Sequence, residues 1–599
     1  MDRRNFFTKG QNTGVTNNRF DSIGKFVEEA MASWQIPGLA LAVVKGDEVL
    51  HMQGYGVRDV ETGEPITPET IFPIASSSKA FTAMGIGLLV DEGKLEWDKP
   101  VRSYLPDFEL SDGYVSEKIT VRDLLCHRSG LPRHDLAWYG TTAARADLIR
   151  NLKYLEFSKG FREVWQYQNL MYVTAGYLAG QMTGLTWEDF TQQRIFDPLT
   201  MSRSCFSPDV MRQLGNYAMP YRIRRGKAEG EEDVLEVMEF YSDPVMGPAG
   251  SIHSNVQDLA KWLKVHLNQG QFESTPFVSP GSLAQMHQPQ MVMPVDGFMA
   301  ALLGTTISTY GLGWFVVPYR GHTLIHHGGN IDGFSTMVAF VPRENIGIVV
   351  LTNIEGRPLR DILTYEICDR LLDLPDNQWN QRFHAMYDEL YASIDRDRDV
   401  AVEEQKQGAP LSHPIEAYVG DYAADGYTDF VVKLEGDALL GWVAGNWFPL
   451  QHYHYDIFNL DLDRFELRLP AVFQMNAQGE IDAVSLQLEP QVEPRLFKRK
   501  PIVIGDDVLA ALTGRYDLPI EGMELAVMIR NDRLFMTITG QAGEELQPYR
   551  ASDSEVEFLV KDAPGVRLEF QKDAQGAYYN IARLKQPGQV FEAPRLSAS

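Results

Sequence analysis

The sequence has little cysteine and no apolar segment long enough to cross a membrane. Its 599 residues include 3 cysteines, which lie far apart and outside any CxxC or Cys/His spacing, at Cys126, Cys205 and Cys368. Such cysteines exclude a disulfide framework, and buried thiols are expected instead. The longest apolar runs, such as Gly38–Val44 and Ala80–Val90, fall short of the roughly 18 residues that a membrane span needs. We therefore predict no membrane partner.

Positive charge is also scarce. The 55 Lys and Arg residues stand against 81 Asp and Glu, so the formal net charge is −26. Such a surface repels phosphate backbones, which disfavours a nucleic-acid partner. The hydrophobic and charged fractions, 44% and 23%, are those of a globular protein. At about 100–200 residues per domain, we expect about three to five folding units, or one large domain with smaller ones.

The first residues contain a pattern related to export signals. Residues 2–7, DRRNFF, resemble a twin-arginine signal, but residues 10–19 are polar where such a signal needs an apolar region. We predict that residues 1–19 are disordered or a vestigial signal and that the protein is cytoplasmic. A periplasmic or exported protein is the alternative.

Residues 20–375 mix helical and strand-like patterns, which indicates an α+β domain. Gly38–Val44 and Val49–Tyr55 are typical of two strands joined by a hairpin. Two more strands are predicted much later, at Met337–Val341 and Ile346–Leu351. We expect the first and last strands to share one antiparallel sheet, with the helical middle of the domain packed against it.

The remainder of the chain changes character twice. Residues 376–413 are polar and charged, which is typical of a linker. Short alternating segments follow, and the pattern YVGDY at Tyr418–Tyr422 recurs 94 residues later as LTGRY at Leu512–Tyr516. A repeat of this size is a whole small domain. We predict two antiparallel β-barrels, at residues 414–501 and 502–599, because closure removes exposed edge strands.

The first chemical signal is a serine followed three residues later by a lysine. Ser76 and Lys79 open an apolar, helix-patterned segment, so they lie on one helical face within hydrogen-bonding reach. A partly desolvated lysine can take the serine proton and so activate the nucleophile. The start of a helix also offers unpaired backbone N–H groups. Taken alone, the pattern is better explained by a serine cap with an exposed lysine.

Two more segments carry candidate residues. Tyr167 stands at the entrance of a helical segment, and a phenol near cations can ionise below its usual pKa of about 10 and act as a general base. Asn169 could orient a substrate carbonyl. The segment His326–Gly329, HHGG, follows a strand, and its glycines would let a ligand approach the backbone. The N–H of Gly329 would then complete an oxyanion hole with that of Ser76. A core tyrosine and structural histidines are the alternatives.

The order Ser-x-x-Lys, Tyr-x-Asn, His-x-Gly resembles the three-motif plan of serine β-lactamases and penicillin-recognising enzymes. It is most similar to their class C-type relatives, which include esterases, D-aminopeptidases and the peptidase family S12. The resemblance covers about residues 20–375. Further segments match the framework of that family: Thr70–Ser76, Leu89–Leu95, Val121–Pro132, Gly247–Ser251 and Tyr310–Trp314.

The resemblance implies a β-lactamase/transpeptidase-like catalytic domain, with an antiparallel sheet flanked by helices and an all-helical region, followed by two lipocalin-like barrels. It implies that Ser76 attacks a carbonyl to form an acyl-enzyme, and that Tyr167, helped by Lys79, takes the serine proton and later activates water. The implied substrate-binding residues are Asn169, His326, Gly328 and Gly329, and the implied oxyanion hole consists of the Ser76 and Gly329 amides.

One position departs from the class C pattern. His326 stands where those β-lactamases carry a lysine. A histidine, with a pKa near 6.5, is mostly neutral at pH 7 and offers no permanent cation to a substrate carboxylate. This difference favours esters, amides, or peptides presented amino end first.

The sequence therefore predicts a serine hydrolase that acts through an acyl-enzyme on peptide or amide bonds, with a preference for D-amino acids or small unusual acyl groups. A carboxylesterase or weak β-lactamase is one alternative, and a catalytically silent protein that binds ligands in its barrels is another. We expect a small-molecule or short-peptide substrate, and the sequence leaves open whether the protein forms a homo-oligomer.

His127 and Ser129 are interpreted as turn residues. His452 and His454 share a strand face but lack a third ligand, so no metal or cofactor is predicted.

Overall fold

The computed structural model describes residues 15–16, 21–226, 232–295, 300, 302–403, 405–406, 408–462, 467–551, 554–561, 563, 565–572 and 578–596. Most of the segment predicted to be disordered or signal-like, at residues 1–14 and 17–19, lies outside these residues. In the described part of the chain, no helix combines the length and apolar character that a membrane span requires. All three cysteines are buried free thiols, as predicted.

A nine-stranded antiparallel sheet organises the first part of the chain. Its second strand along the chain lies between its third and its last strand, with Leu41 opposite Val350, which confirms that first and last strands share one antiparallel sheet. In the order in which they lie side by side, the strands are Val15–Thr16, Glu48–Gly56, Gly38–Lys45, Ile346–Thr352, Phe334–Val341, His322–Ile331, Phe315–Tyr319, Ser308–Tyr310 and Met291–Met293.

Helices cover both faces of this sheet, so its central strands are apolar on both sides. Along Gly38–Lys45, Leu39 and Leu41 belong to the hydrophobic core on one face, while Ala40 and Ala42 belong to the core on the other. The α-helices bounded within the described residues are Asp21–Trp34, Ser78–Asp91, Gly113–Lys118, Val121–Leu125, Arg145–Asn151, Asn169–Thr183, Trp187–Thr191, Pro208–Leu214, Gly247–Gly250, Val256–Leu267, Pro280–His287, Leu359–Leu371, Trp379–Glu403 and Asp506–Leu512.

The stretch predicted as a linker contains a long helix, Trp379–Glu403, whose first turn is docked on the domain that carries the nine-stranded sheet. Trp379 is fully buried and donates its indole N–H to Asp369 at 2.7 Å. The side-chain oxygen of Asn380 accepts a hydrogen bond from Trp34 at 2.8 Å. The helix therefore extends the catalytic domain toward the barrels.

Two small β-structures follow, which confirms the predicted α+β domain with two barrels. In the first barrel, a closed ring, the strands are Gly420–Ala423, Phe430–Glu435, Ala438–Val443, Asn446–His454, Ile457–Leu462, Leu467–Met475, Ile481–Leu486 and Arg495–Arg499. In the second barrel, an eight-stranded sheet whose ends meet at a bridge between Tyr516 and Arg595, they are Gly514–Asp517, Glu524–Arg530, Arg533–Ile538, Glu544–Ala551, Glu555–Val560, Arg567–Lys572, Tyr578–Gln586 and Gln589–Pro594.

An arginine closes each barrel in the same way. Arg499 donates to the carbonyl of Ala417 at 2.7 Å, and Arg595 donates to that of Ala511 at 3.1 Å. Each guanidinium also lies over the tyrosine that ends the repeated sequence pattern, Tyr422 or Tyr516. The repeat in the sequence therefore corresponds to a repeated structural device.

Candidate active site

Ser76 is presented by a strained turn in front of the helix Ser78–Asp91. The preceding residue, Ala75, has a φ of 47°, in the left-handed region that non-glycine residues rarely adopt. Ser76 is half-buried, whereas its neighbours are buried and already bonded: the Ser77 hydroxyl donates to the carbonyl of His327, and the Ser78 hydroxyl accepts from Ile252. Only the Ser76 hydroxyl remains available to a substrate among these three serines.

Lys79 contacts the Ser76 hydroxyl directly. Its Nζ donates to Ser76 Oγ at 3.1 Å and to the carbonyl of Ala249 at 2.7 Å. The side chain is fully buried, and this burial, together with the nearby Arg133 charge, holds the Lys79 pKa well below its usual range. The lowered pKa favours the neutral form of the amine, which is the form that accepts the serine proton.

Tyr167 lies beside Ser76 and Lys79, as the sequence predicts. Its hydroxyl shares a hydrogen bond with Ser76, and Lys79 Nζ lies 4.8 Å from the centre of its ring. The pKa of Tyr167, however, is raised by burial, which outweighs the lowering effects of Ser76 and Arg133. The expectation of a depressed tyrosine pKa is therefore wrong, and Tyr167 is a neutral phenol near pH 7.

Asn169 lies beside two charged residues that the sequence did not single out. Its amide donates to Asp135 at 3.1 Å, and Asp135 also accepts from Arg133 at 2.6 Å. The Arg133 guanidinium lies 5.0 Å from the centre of the Tyr167 ring. Tertiary packing brings Arg133 and Asp135 to the site, and no spacing rule in the sequence indicated them.

The third motif is placed one residue away from where it was expected. In the strand His322–Ile331, alternate side chains face opposite sides of the sheet. His326 stacks on Phe315, with ring centres 5.2 Å apart, on the face that carries Arg360. His327 is on the face of Ser76 and lies against Tyr167, with ring centres 6.3 Å apart. His327 therefore occupies the position that had been assigned to His326.

Gly328 and Gly329 also lie on opposite faces of the strand. A Cβ on Gly328 would lie 3.2 Å from the Arg360 guanidinium, away from Ser76. A Cβ on Gly329 would lie 2.1 Å from the carbonyl of Ile74, in the turn that holds Ser76. Gly329 is therefore needed for close packing of the strand against the nucleophile turn.

Strand pairing decides which amide reaches the oxyanion position. The two-residue Asp332–Gly333 turn makes Ile331 and Phe334 a hydrogen-bonded pair, so Gly329 and Thr336, two residues further on, form another. The Gly329 N–H thus points toward the neighbouring strand Phe334–Val341. The N–H of Asn330 points the other way, toward the side of the strand Phe315–Tyr319, and the pairing with that strand ends at His326. Asn330 replaces Gly329 as the candidate oxyanion donor.

The cleft in front of Ser76 has a volume of about 510 Å³ and is built from both the catalytic domain and the first barrel. Among the described residues, its charged lining consists of Arg133 and three carboxylates, Asp135, Asp332 and Glu489. The remaining lining is mainly apolar and aromatic and includes Leu136, Trp138, Tyr139, Tyr241, Met246, Leu488 and Pro490.

The turn of the first barrel at residues 488–491 is bonded to the catalytic segments. Glu489 is buried and accepts from the backbone N–H of His134 at 2.9 Å. Gln491 accepts from the side chain of Gln166, the residue before Tyr167, at 2.8 Å. In the described residues, no group of three or more His, Cys, Asp or Glu side chains is arranged to hold a metal ion.

Comparison with known proteins places the chain in a family. The sequence model of the beta-lactamase family matches residues 23–369, and a domain of unknown function, DUF3471, matches residues 404–501. The chain is 28% identical to unguisins hydrolase ungD' of Aspergillus campestris over 78% of this chain and 89% of that protein. It is 26% identical to protein flp of Staphylococcus aureus, over 57% of this chain and 65% of that protein.

A solved structure is also similar. It is the octameric penicillin-binding protein homologue from Pyrococcus abyssi, with 25% identity and a TM-score of 0.52, covering 80% of this chain and 99% of that one. The family match spans more than half of the chain and includes all three motifs. The chain belongs to the beta-lactamase family, and it is a serine hydrolase.

Proposed function

We propose that the protein hydrolyses amide bonds in short peptides or aminoacyl compounds through an acyl-enzyme on Ser76, with a preference for D-amino acids that carry a free amino group. The observation that carries the chemistry is the 3.1 Å contact between the buried Lys79 amine and the Ser76 hydroxyl. A serine needs such a base to become nucleophilic, and the lowered pKa of Lys79 makes its amine available for that role.

In the acylation step, Ser76 Oγ attacks the substrate carbonyl while neutral Lys79 accepts its proton. The N–H groups of Ser76 and Asn330 stabilise the oxyanion that forms. Tyr167, still a phenol, is bonded to Ser76 and donates its proton to the leaving nitrogen as Lys79 restores that proton. The amine product leaves, and the acyl group stays on Ser76.

In the deacylation step, water attacks the ester carbonyl of the acyl-enzyme and gives a proton to the same Lys79–Tyr167 pair. The tetrahedral intermediate collapses, Ser76 regains its hydroxyl proton, and the carboxylic acid is released. Asn169 orients the substrate through its amide, while Asp135 holds that amide in place at 3.1 Å.

The charge of the cleft supports recognition of an amine. Three carboxylates and one guanidinium line it in the described part of the chain, and these groups together are net negative. Burial is the main cause that holds the pKa of His327 well below its usual range, so this residue is neutral and offers no cation to a carboxylate. This argues for a substrate presented amino end first and against efficient β-lactam hydrolysis. The D-preference follows the family resemblance, and the two relatives named unguisins hydrolase support a hydrolytic reaction.

A carboxylesterase is the second candidate, because a neutral His327 and a largely apolar cleft also suit an uncharged ester. A silent ligand-binding protein is disfavoured by the intact contacts of Ser76 with Lys79 and Tyr167.

We also propose that the protein forms a homo-oligomer. The octameric assembly of the structural neighbour supports this proposal, and light scattering tests it.

One set of assays tests the proposal. A fluorophosphonate should label the protein, and Ser76→Ala should abolish both labelling and turnover. D-aminoacyl p-nitroanilides should be cleaved faster than their L-enantiomers, and N-acetylation should lower kcat/KM at least about tenfold, the loss of roughly one charge pair. Faster cleavage of p-nitrophenyl esters with no anilide turnover would favour the esterase, and failure to label Ser76 would remove the hydrolase mechanism.

A further inference from the structure

His127 holds the chain on both sides of Tyr167. Its carbonyl accepts the backbone N–H of Gln166 at 2.8 Å, and its Nδ1 accepts the backbone N–H of Gln168 at 3.0 Å. Its ring lies against the Tyr167 ring, with the ring centres 4.3 Å apart. The residues before and after Tyr167, and its aromatic ring, are therefore all fixed by one side chain and its own backbone.

This arrangement is conformationally costly. His127 has a φ of 59°, in the left-handed region, and its side chain is fully buried. Because Nδ1 accepts a hydrogen bond, the ring hydrogen is on Nε2, and that atom has no hydrogen-bond partner among the described residues. An unsatisfied buried donor on a strained backbone is destabilising, so filling space alone does not account for a histidine here.

The surroundings of the ring keep it in the accepting form. Burial is the main cause that holds the His127 pKa well below its usual range, and the positive charge of Arg133 acts in the same direction. A protonated ring would carry a hydrogen on Nδ1 and would lose the bond from Gln168. A neutral His127 is therefore part of the arrangement.

We propose that His127 is a positioning residue for Tyr167. It affects the reaction through Tyr167 and does not touch the substrate. This inference rests on the proposed function, in which the Tyr167 phenol hands a proton to the leaving group. Fixing the peptide units on both sides of Tyr167 keeps its hydroxyl at the Ser76 oxygen. Displacement of that hydroxyl by about an ångström is enough to slow a proton transfer greatly.

The test uses substitutions that keep or remove the acceptor at Nδ1. In H127N the amide oxygen takes the place of Nδ1, and asparagine tolerates a positive φ. In H127Q the oxygen is one bond further out, and in H127F there is no acceptor. We expect H127Q and H127F to lower kcat at least about tenfold with KM changed less than about threefold, and H127N to restore kcat to within about threefold of the wild type.

A matched control separates this effect from the loss of any buried histidine. His266 is a buried histidine paired with His287 at 2.9 Å in the core, away from Ser76. H266F should lower the thermal midpoint and leave kcat unchanged. Equal losses of kcat in H127N and H127Q, or full activity in H127F, would overturn the inference.

Combination with Y167F shows whether His127 acts through the phenol. If it does, H127Q should change kcat less than about threefold in the Y167F background, because the hydroxyl that it positions is absent. An equal loss in both backgrounds would overturn the inference and leave the proposed function intact. Full activity of Y167F alone would overturn both.

Discussion

At the reactive serine, one physical cause moves two pKa values in opposite directions. Burial lowers the Lys79 pKa and raises that of Tyr167, because it disfavours the charged form of each group. Burial therefore favours an uncharged amine and an uncharged phenol next to Ser76. This is the state in which one group can accept a proton and the other can donate one.

The sign of the pH dependence follows from these directions. Below the Lys79 pKa the amine is protonated and cannot accept the Ser76 proton, so kcat/KM should fall as the pH falls through that lowered pKa. Since the Tyr167 pKa is raised, loss of the phenol should not limit activity near neutral pH. A profile of kcat/KM from about pH 5 to 9 measures this, and Lys79→Arg, which stays charged, should cost at least about 10²-fold throughout. An acid limb retained in Lys79→Arg would contradict the assignment.

Substitution of the two adjacent histidines tests which face of the strand His322–Ile331 is turned toward the ligand. Lysine at position 327 would place a cation beside Tyr167, so H327K should raise relative kcat/KM for substrates with a carboxylate at least about tenfold. His326 is on the opposite face, stacked on Phe315, so H326K should change this ratio less than about threefold. The ratio of kcat/KM for matched carboxylate and amide substrates measures both, and the reverse ranking would mean that His326 faces the ligand.

Some of these residues were predictable, and others were not. Ser76 and Lys79 were, because helical periodicity alone brings residues three apart together. The choice between His326 and His327 was not, since a shift of one residue in a strand exchanges the two faces and HHGG fits the motif in either register. Arg133 and Asp135 depend on tertiary packing, which the sequence does not display.

At the scale of the elements, the contact between the strand His322–Ile331 and the nucleophile turn holds the site together. The Thr336 hydroxyl donates to the carbonyl of Ile74 at 3.0 Å, and Gly329 packs against the same carbonyl. The sheet therefore supports the strained turn at Ala75. Movement of the strand would also move the Asn330 amide relative to Ser76.

Replacement of Gly329 should test this contact. In G329A the new Cβ would lie 2.1 Å from the Ile74 carbonyl, so the strand or the turn must move, at a cost of about 1–3 kcal/mol in the free energy of unfolding. We expect kcat/KM to fall at least about tenfold. In G328A the new Cβ meets the movable end of Arg360 at 3.2 Å, so its effect should be much smaller. Thermal midpoints and kcat/KM of both variants measure this, and equal effects would show that the contact does not control the site.

The elements also differ in how well the sequence predicts them. The barrels were predictable, because alternating patterns and the YVGDY and LTGRY repeat mark strands and their turns. The docking of Trp379–Glu403 was not, because the helix is mostly polar and is held by few buried side chains, such as Trp379 and Phe383. Polar composition indicates exposure, and it does not show whether a helix is attached.

At the scale of the whole molecule, the first barrel forms part of the active-site cleft. Its 488–491 turn contributes Glu489, whose carboxylate accepts the backbone N–H of His134 in the catalytic domain. Gln491 reaches the residue before Tyr167. The barrel thus supplies both a charge and a wall to the cleft, and its role extends beyond that of an appended domain.

The charge of Glu489 should therefore affect substrate choice. Two unit charges about 8 Å apart attract by about 2 kcal/mol at an effective dielectric constant of 20, and we take about half of this as a net effect. E489Q keeps an acceptor for the His134 N–H and removes the charge, so kcat/KM for an aminoacyl p-nitroanilide should fall about fivefold. The kcat/KM for the N-acetylated substrate should be unchanged.

Glu493 is exposed on the same segment and outside the cleft lining, so E493Q is the matched control and should change neither rate. Equal losses for the free and acetylated substrates would mean that Glu489 shapes the cleft without recognising an amine, and the amino-end-first orientation would then lose its main electrostatic support.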